Sequence, residues 1–290
     1  MTTSTIKIID PHLHLFNLNE GKYDWLKKQS PPFWPDKEKI NRNFTEADLQ
    51  LTKPLTLAGF VHIEAGFDNQ QPWREIDWLE QNCSLTFKSV AFADISAMTF
   101  SNHIEQLIQR QSVVGIRDIL DDRASEVLSL DSLKRHFSLL EQHSLSFDAQ
   151  LSLQDTQSIR KLIKHAKEHP RLKIIINHCG WPLDANTSSA RKNWQSNLEA
   201  LSQCENVAIK LSGWEMSDRN WEIPQVTGLI LECLQVFGEK RVMLASNFPL
   251  CTFSHSYNEL WQAYSHLEDV SKECYTNISF TNAFSWYQFG

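Results

Sequence analysis

Two histidines stand one residue apart near the start of the chain, in the stretch IIDPHLHLF that covers residues 8–16. Side chains alternate between the two faces of a β-strand, so His12 and His14 are expected to point to the same face. Two adjacent imidazoles are poor core packing, but they form a good half of a metal site. This segment is therefore the first candidate for catalytic chemistry.

Other residues able to do chemistry stand at the ends of later apolar segments. His62 and Glu64 again lie two positions apart, and Arg117, Gln150 and His178 follow in separate segments. The guanidinium of Arg117 can bind both oxygens of a substrate carboxylate at once. His62, Glu64, Arg117 and Gln150 are therefore candidate substrate-binding residues.

A third histidine, His178, completes the candidate metal site with His12 and His14. Imidazole suits zinc and similar divalent ions, and three ligands leave room for a bound water. The alternative is that some of these histidines only form hydrogen bonds within the site. Four further histidines lie in helix-like or loop segments and are given no role: His103, His136, His143 and His165.

Two alternatives remain open for the charged residues. His62 and Glu64 either act on substrate or form a structural pair with each other. Arg117 either holds a substrate carboxylate or forms an ion pair with Glu64 or Asp148.

These residues need a scaffold that brings distant segments together. Eight short apolar segments alternate with longer amphipathic ones: IKIID, LAGFVHIEA, KSVAFADI, VVGIRDIL, LSFDAQLS, LKIIINHCG, NVAIKLSG and RVMLASNFP. Ser101 and Asp131 are the expected N-caps of two of the intervening helices. The alternation predicts an α/β fold, a (β/α)8 TIM barrel formed by one domain over residues 1–290, with its active site at the carboxyl ends of the strands.

The segment that follows the first predicted strand, residues 17–51, has no clear period and is rich in proline and aromatic residues. Loops after barrel strands lie at the catalytic face, so we expect a lid or pocket wall. Trp25, Phe33 and Trp34 are its candidate pocket residues, and Trp34 is expected to contact substrate. The alternative is a surface excursion without function.

Composition narrows the class of protein. The net charge of −7 and the lack of a long basic run exclude nucleic acid and anionic membranes as expected partners. Six scattered cysteines, none in a C-x-x-C pair, are typical of reduced thiols in a cytoplasmic protein. The chain starts without a signal-peptide pattern, and its apolar stretches are too short to span a membrane. None of these features indicates an oligomeric state.

Five motifs occur in order along the chain: DPHLHLF, GIRDIL, NHCGWP, VAIKLSG and RVMLASNFP. Together they resemble the amidohydrolase-related family of metal-dependent TIM-barrel hydrolases, which includes sugar-acid lactonases and a pyrone-dicarboxylate lactonase. The resemblance implies that His12, His14 and His178 are the catalytic histidines of the first and sixth strands. It also implies that Arg117 is the family's fourth-strand arginine.

The eighth-strand motif departs from the family pattern. That motif commonly reads G-S-D-W-P, and its aspartate is a metal ligand or general base, whereas Asn247 stands at the matching position here. An amide cannot accept a proton as a carboxylate does, and loss of a general base costs about 10²–10⁴-fold in rate. His62, Glu64 and Asp118 are the candidates for a substitute base.

The resemblance implies a hydrolase that opens a lactone or related ester of a small acidic, sugar-acid-like substrate. Water attacks a carbonyl activated by His12 and His14, with or without a divalent metal such as zinc. His178 orients or shuttles a proton, and Asn247 completes the predicted catalytic set. The alternative is a catalytically degenerate barrel, marked by Asn247, that binds an acidic small molecule without turnover.

Overall fold

Eight parallel strands form one sheet whose order follows the sequence, in a computed structural model that describes residues 5–290. Every apolar segment predicted as a strand contributes one. The strands are β1 (Ile6–Leu13), β2 (Leu55–Ile63), β3 (Phe87–Phe92), β4 (Val113–Ile119), β5 (Ser146–Gln150), β6 (Ile174–Ile176), β7 (Val207–Leu211) and β8 (Val242–Leu244).

The sheet closes on itself where its first and last strands end. Leu13 forms a parallel bridge with Phe248. The His14 amide donates to the Phe248 carbonyl at 2.6 Å, and the Asn247 amide donates to the His12 carbonyl at 2.8 Å. These contacts confirm the predicted TIM barrel. They also bring the first-strand histidines beside Asn247, which lies more than two hundred residues further along the chain.

Helices cover the outside of the barrel. They are α1 (Trp73–Asn82), α2 (Phe100–Leu107), α3 (Ala124–Val127), α4 (Ser132–Gln142), α5 (Thr156–Glu168), α6 (Ser188–Ser202), α7 (Trp214–Ser217), α8 (Ile223–Phe237), α9 (Tyr257–Tyr264), α10 (Lys272–Thr276) and α11 (Asn282–Trp286). The expected N-cap at Ser101 is wrong, because α2 begins one residue earlier with the fully buried Phe100. Asp131 does precede α4, but its side chain makes no capping hydrogen bond.

The interior of the barrel is filled rather than open. Apolar side chains of alternate strand positions, such as Ile9, Val61 and Met243, pack there with Tyr287 from the C-terminal segment. Above this layer Lys210 Nζ donates to Asp148 Oδ2 at 2.6 Å, and both side chains are fully buried. The Tyr287 hydroxyl also donates to Asp148. A buried ion pair therefore forms the floor beneath the carboxyl end of the barrel.

The long segment after β1 is held in place by its own polar contacts. Lys37 is buried, and its ammonium donates to the carbonyls of Trp25 at 2.7 Å and Ser30 at 2.8 Å. Arg219, which follows β7, donates to Asp36 at 2.9 Å. The segment is therefore a packed wall at the catalytic face, as one of the two interpretations predicted.

Within residues 5–290 no helix has both the length and the apolar character needed to cross a bilayer. All six cysteines are free thiols, as their scattered positions predicted.

Candidate active site

A cavity of about 570 Å³ opens at the carboxyl end of the barrel. Loops after most of the strands contribute to its lining, which is the usual position of an active site in this fold. His12 lies beside it and is fully buried. Seven of the predicted site residues line the cavity: His14, Trp34, Glu64, Arg117, Gln150, His178 and Asn247.

The three predicted imidazoles meet at this end of the barrel. The ring centroid of His12 lies 5.1 Å from that of His14 and 4.5 Å from that of His178. Leu13, between the first two, packs outward into the core between strands and helices. The alternation predicted for the first strand is therefore present, and the sixth-strand histidine joins the pair.

Each of these rings has its Nδ1 beside a protein group. His14 Nδ1 donates to the Ile63 carbonyl at 2.8 Å, and His178 Nδ1 lies 3.0 Å from the Ser212 hydroxyl. His12 Nδ1 lies 3.4 Å from Lys210 Nζ.

The Nε2 atoms are therefore the free ends of the rings, and that of His12 is buried without a partner in the described part of the chain. Burial lowers the pKa of His12, His14 and His178 well below the usual value for histidine, Arg117 lowers all three further, and Lys210 adds to the effect at His12 and His178. All three imidazoles are consequently neutral at pH 7.

Two site residues adopt a left-handed backbone conformation that is uncommon outside glycine. His178 has φ of 54° and Asn247 has φ of 59°. A Cβ atom at Gly213, which has φ of 76°, would lie only 2.6 Å from His178 Nδ1. Such backbone strain is retained where the surrounding structure fixes a functional side chain.

The donor chemistry of His14 and His178 fits a divalent ion, because both rings are neutral and their Nδ1 contacts with Ile63 and Ser212 leave the Nε2 lone pair free. His12 Nε2 is also buried without a partner in the described part of the chain, but it becomes a third ligand nitrogen only when the ring proton is on Nδ1, since Lys210 donating to Nδ1 leaves that proton on Nε2. The ligand atoms of the three rings are further apart than in a compact ligand set, because they are not all within 4.8 Å of one another. Within residues 5–290, three donor atoms all within 4.8 Å of one another occur only at the end of α5.

Arg117, Arg123, Glu64 and Asp118 of the cavity form ion pairs. Arg117 Nε donates to Glu64 Oε1 at 2.8 Å, and its Nη1 lies 3.4 Å from Gln150 Oε1. Of the alternatives for Arg117, the structure thus shows the ion pair with Glu64. At the rim Arg123 donates to Asp118 at 2.8 Å. Burial raises the pKa of Asp118 to about 6, although Arg123 opposes this shift.

The structure does not bring His62 into the cavity. Ile63 faces the barrel interior, so His62 points outward, and the chain then leaves the strand and turns Glu64 inward. His62 is fully buried, accepting from the Leu15 amide at 3.2 Å, and its Nε2 lies 3.1 Å from Glu75 Oε1. His62 therefore pairs with Glu75 rather than with Glu64.

Glu215 was not among the predicted site residues. It lies on α7, directly after β7, and Asn247 Nδ2 donates to its Oε1 at 2.6 Å. Glu215 is 1% exposed, and burial raises its pKa to about 7, with the bond from Asn247 opposing the rise. Glu215 could have been predicted from its position just after the strand-end motif VAIKLSG, since site residues of barrels collect at strand ends.

Tryptophan side chains form the wall of the cavity. Trp25 and Trp34 come from the long segment after β1, and Trp181 follows β6. Trp25 is fixed by a hydrogen bond from its indole nitrogen to the Ala65 carbonyl at 2.7 Å. Phe33 does not belong to this wall, since it is 73% exposed.

Histidines, paired charges and aromatic walls at the carboxyl end of a closed parallel barrel define an enzyme site of the TIM-barrel hydrolase class. The chain belongs to the amidohydrolase family, whose Amidohydrolase model matches residues 9–283.

Three proteins show how far this chain resembles known sequences and structures. An uncharacterized protein, y4mH, of Sinorhizobium fredii is 30% identical over 91% of this chain and 92% of its own length. An L-fucono-1,5-lactonase of Burkholderia ambifaria is 24% identical over 84% of each chain. The crystal structure of a Burkholderia multivorans amidohydrolase with bound zinc has a TM-score of 0.78 at 17% identity, covering 97% of this chain and 99% of that one. This last likeness concerns the fold.

Proposed function

We propose that this protein hydrolyses the lactone ring of a sugar acid. The observation that carries the proposal is the free Nε2 of His178, a neutral imidazole that lines a tryptophan-walled cavity. A neutral histidine in a cavity is suited to accept a proton from water and pass it on. The L-fucono-1,5-lactonase named above, a family relative, supports the same reaction type.

The charge pattern of the cavity favours a substrate whose ring is neutral. Arg117 and Arg123 are both paired, and the carboxyl groups of Glu64, Asp118 and Asp121 slightly outnumber them. Paired charges offer hydrogen bonds to hydroxyl groups, while the flat tryptophan faces offer apolar contact to the ring. A sugar-acid lactone satisfies both requirements, and its carboxylate appears only in the product.

Hydrolysis forms a bond between a water oxygen and the ring carbonyl carbon, and it breaks the bond from that carbon to the ring oxygen. His178 accepts a proton from the water at Nε2 and returns it to the departing ring oxygen. Ser212 suits both states, because His178 Nδ1 carries a proton in each of them and its N–H donates to the Ser212 hydroxyl oxygen. The depressed pKa of His178 makes the protonated form short-lived, which favours rapid return of the proton.

Other side chains position the reactants. Asn247 can present its carbonyl oxygen to the attacking water, because Glu215 holds its amide nitrogen. Arg117, fixed by Glu64, places a positive charge where negative charge develops on the carbonyl oxygen.

A divalent ion is part of this proposal. His12 and His14 would hold it, while the Nε2 of His178 stays free to accept the proton, and zinc is the ion best suited to imidazole ligands. When bound, such an ion would polarise the carbonyl and lower the pKa of water. A cytoplasmic location is also proposed, supported by the free thiols.

The test is a screen of neutral sugar lactones and dicarboxylate lactones that monitors acid release at constant pH. We expect turnover of neutral lactones, and a fall of about 10²–10⁴-fold in kcat/KM for His178→Ala. Turnover of dicarboxylate lactones alone would refute the neutral substrate. Unchanged turnover by His178→Ala would refute the proposed proton transfer.

A second candidate function follows from Asn247, which leaves the eighth-strand position without a carboxylate. The barrel would then bind a small molecule without turning it over. Calorimetry that detects tight lactone binding, together with no acid release, would support this candidate over hydrolysis.

A further inference from the structure

The end of α5 carries a compact group of potential metal ligands outside the catalytic cavity. The sequence reads HAKEH over residues 165–169, and α5 ends at Glu168. One ligand atom from each of His165, Glu168 and His169 lies within 4.8 Å of the others. Two imidazoles and one carboxylate are a ligand set that zinc uses in proteins.

Two nitrogens in this group are buried without partners. His165 is 7% exposed and His169 is 3% exposed. In the described part of the chain, His165 Nδ1 and His169 Nε2 make no hydrogen bond. A buried polar atom left in this state costs about 1–3 kcal/mol, so a ligand that satisfies both nitrogens would stabilise the fold.

The opposite nitrogen of each ring faces an acceptor. His165 Nε2 donates to the Leu128 carbonyl at 3.0 Å, which leaves the lone pair of the ring on Nδ1. His169 Nδ1 lies 3.6 Å from the Glu141 carboxylate, and this arrangement favours a lone pair on Nε2. Histidines that bind metals commonly donate their second N–H to a carbonyl or carboxylate in this way.

We propose that His165, Glu168 and His169 form a zinc site that is separate from the catalytic cavity. The ion reaches it from a surface pocket of about 400 Å³, which both His165 and Glu168 line. Three protein ligands leave a coordination position for water from this pocket. None of these three residues lines the cavity at the barrel mouth.

Lys134, Lys161 and Lys164 line the same pocket, and Lys164 is the one paired with a proposed ligand. Lys164 Nζ lies 3.9 Å from Glu168 Oε1, and the Lys164 side chain is largely exposed. Removing this charge is expected to strengthen zinc binding by about twofold to fivefold, the usual range for an exposed ion pair.

The experiment measures the affinity of the folded full-length chain for Zn²⁺ alone, by equilibrium dialysis with metal analysis. A His12→Ala/His14→Ala background first weakens the barrel-mouth site, so that the α5 site is observed separately. We expect this background to retain one zinc ion per chain. Adding His165→Gln and His169→Gln is expected to weaken that binding by at least about 100-fold, since metal sites depend on their ligands.

His136→Gln is the matched control. His136 is also a buried histidine, on α4, and its Nδ1 bonds to the Ile95 carbonyl at 2.7 Å. This variant in the same background is expected to bind zinc unchanged. The Lys164→Gln surface variant tests the site even if the double histidine variant fails to fold.

Two results would overturn the zinc site. One is a background protein that binds no zinc at concentrations up to about 100 µM, an affinity weaker than zinc sites in proteins show. The other is zinc binding that neither the double histidine variant nor Lys164→Gln alters.

Discussion

Replacing Glu215 by Gln tests whether this buried carboxylate fixes the amide of Asn247. The change keeps the shape of the side chain but removes the negative charge that accepts from Asn247 Nδ2 at 2.6 Å. A hydrogen bond to a charged group contributes about 1.5–3 kcal/mol, against about 0.5–1.5 kcal/mol for a neutral one. The difference, about 1–2 kcal/mol, predicts a fall of about 5–30-fold in kcat/KM if the orientation of Asn247 matters.

The same change should alter the pH dependence of stability. The pKa of Glu215 is raised from 4.5 to about 7 in the folded protein, so the folded state holds this proton more tightly than the unfolded state. Stability is therefore lost as pH rises from about 4.5 to about 7. The shift corresponds to roughly 3 kcal/mol for a group with no other change. Between pH 5 and pH 8 the unfolding free energy of the wild type should fall. The fall in Glu215→Gln should be smaller than that of the wild type by up to this amount.

Activity should follow the opposite course. Below about pH 7 the protonated Glu215 can donate to the carbonyl oxygen of Asn247, and the amide then turns its NH₂ group to the cavity. The wild-type kcat/KM is expected to fall as pH drops through about 7, and Glu215→Gln is expected to lack this step. The assays are urea unfolding at pH 5 and pH 8, and lactone hydrolysis over the same range.

Glu75→Gln provides the control for burial alone. Glu75 is also a buried carboxyl group with a raised pKa, but it bonds to His62 outside the cavity. This variant should change stability while leaving the pH profile of kcat/KM unaltered. If Glu215→Gln hydrolyses lactone within twofold of wild type with the same pH profile, the role given to Glu215 is wrong.

Three further predictions follow from the site and its floor. Asn247→Asp restores the carboxylate found at this position in the family pattern and should raise the zinc content of the purified protein; unchanged content would argue that this position does not contact the ion. In Arg117→Lys the planar guanidinium that binds Glu64 is lost, so kcat/KM should fall by about tenfold or more. Steady-state kinetics with unchanged KM and kcat would contradict this prediction. Lys210→Met leaves the buried Asp148 carboxylate without its cationic partner and should lower the free energy of unfolding by about 3–5 kcal/mol. A loss below about 1 kcal/mol in urea unfolding would show that the Asp148 carboxyl group becomes neutral at little cost.

The barrel was predictable because parallel strands are covered on both faces and therefore appear as continuous apolar segments. Segments such as VVGIRDIL and LKIIINHCG can be recognised as strands from their own residues, without knowing which strands they pair with. The pairing of His12 with His14 followed from strand alternation alone. Their meeting with His178 needed the further rule that the carboxyl ends of barrel strands share one face.

The remaining parts of the site depend on where each strand ends, which the sequence indicates only loosely. His62 and Glu64 are two residues apart, yet they point in opposite directions because β2 ends at Ile63 between them. Glu215 lies on a four-residue helix, too short to give a recognisable pattern. Ser101 is a residue type that often caps helices, but α2 already begins at Phe100, whose side chain is buried.

Lys37 holds together the segment that forms one wall of the barrel mouth. Its ammonium satisfies carbonyl groups within the segment that carries Trp25, so this wall is assembled when the chain folds, before any substrate arrives. Ordering of that backbone then adds little to the entropy lost on substrate capture. Substrate would then enter and product leave through an opening that is already formed. Turnover would be limited by the chemical step instead of by the movement of a loop.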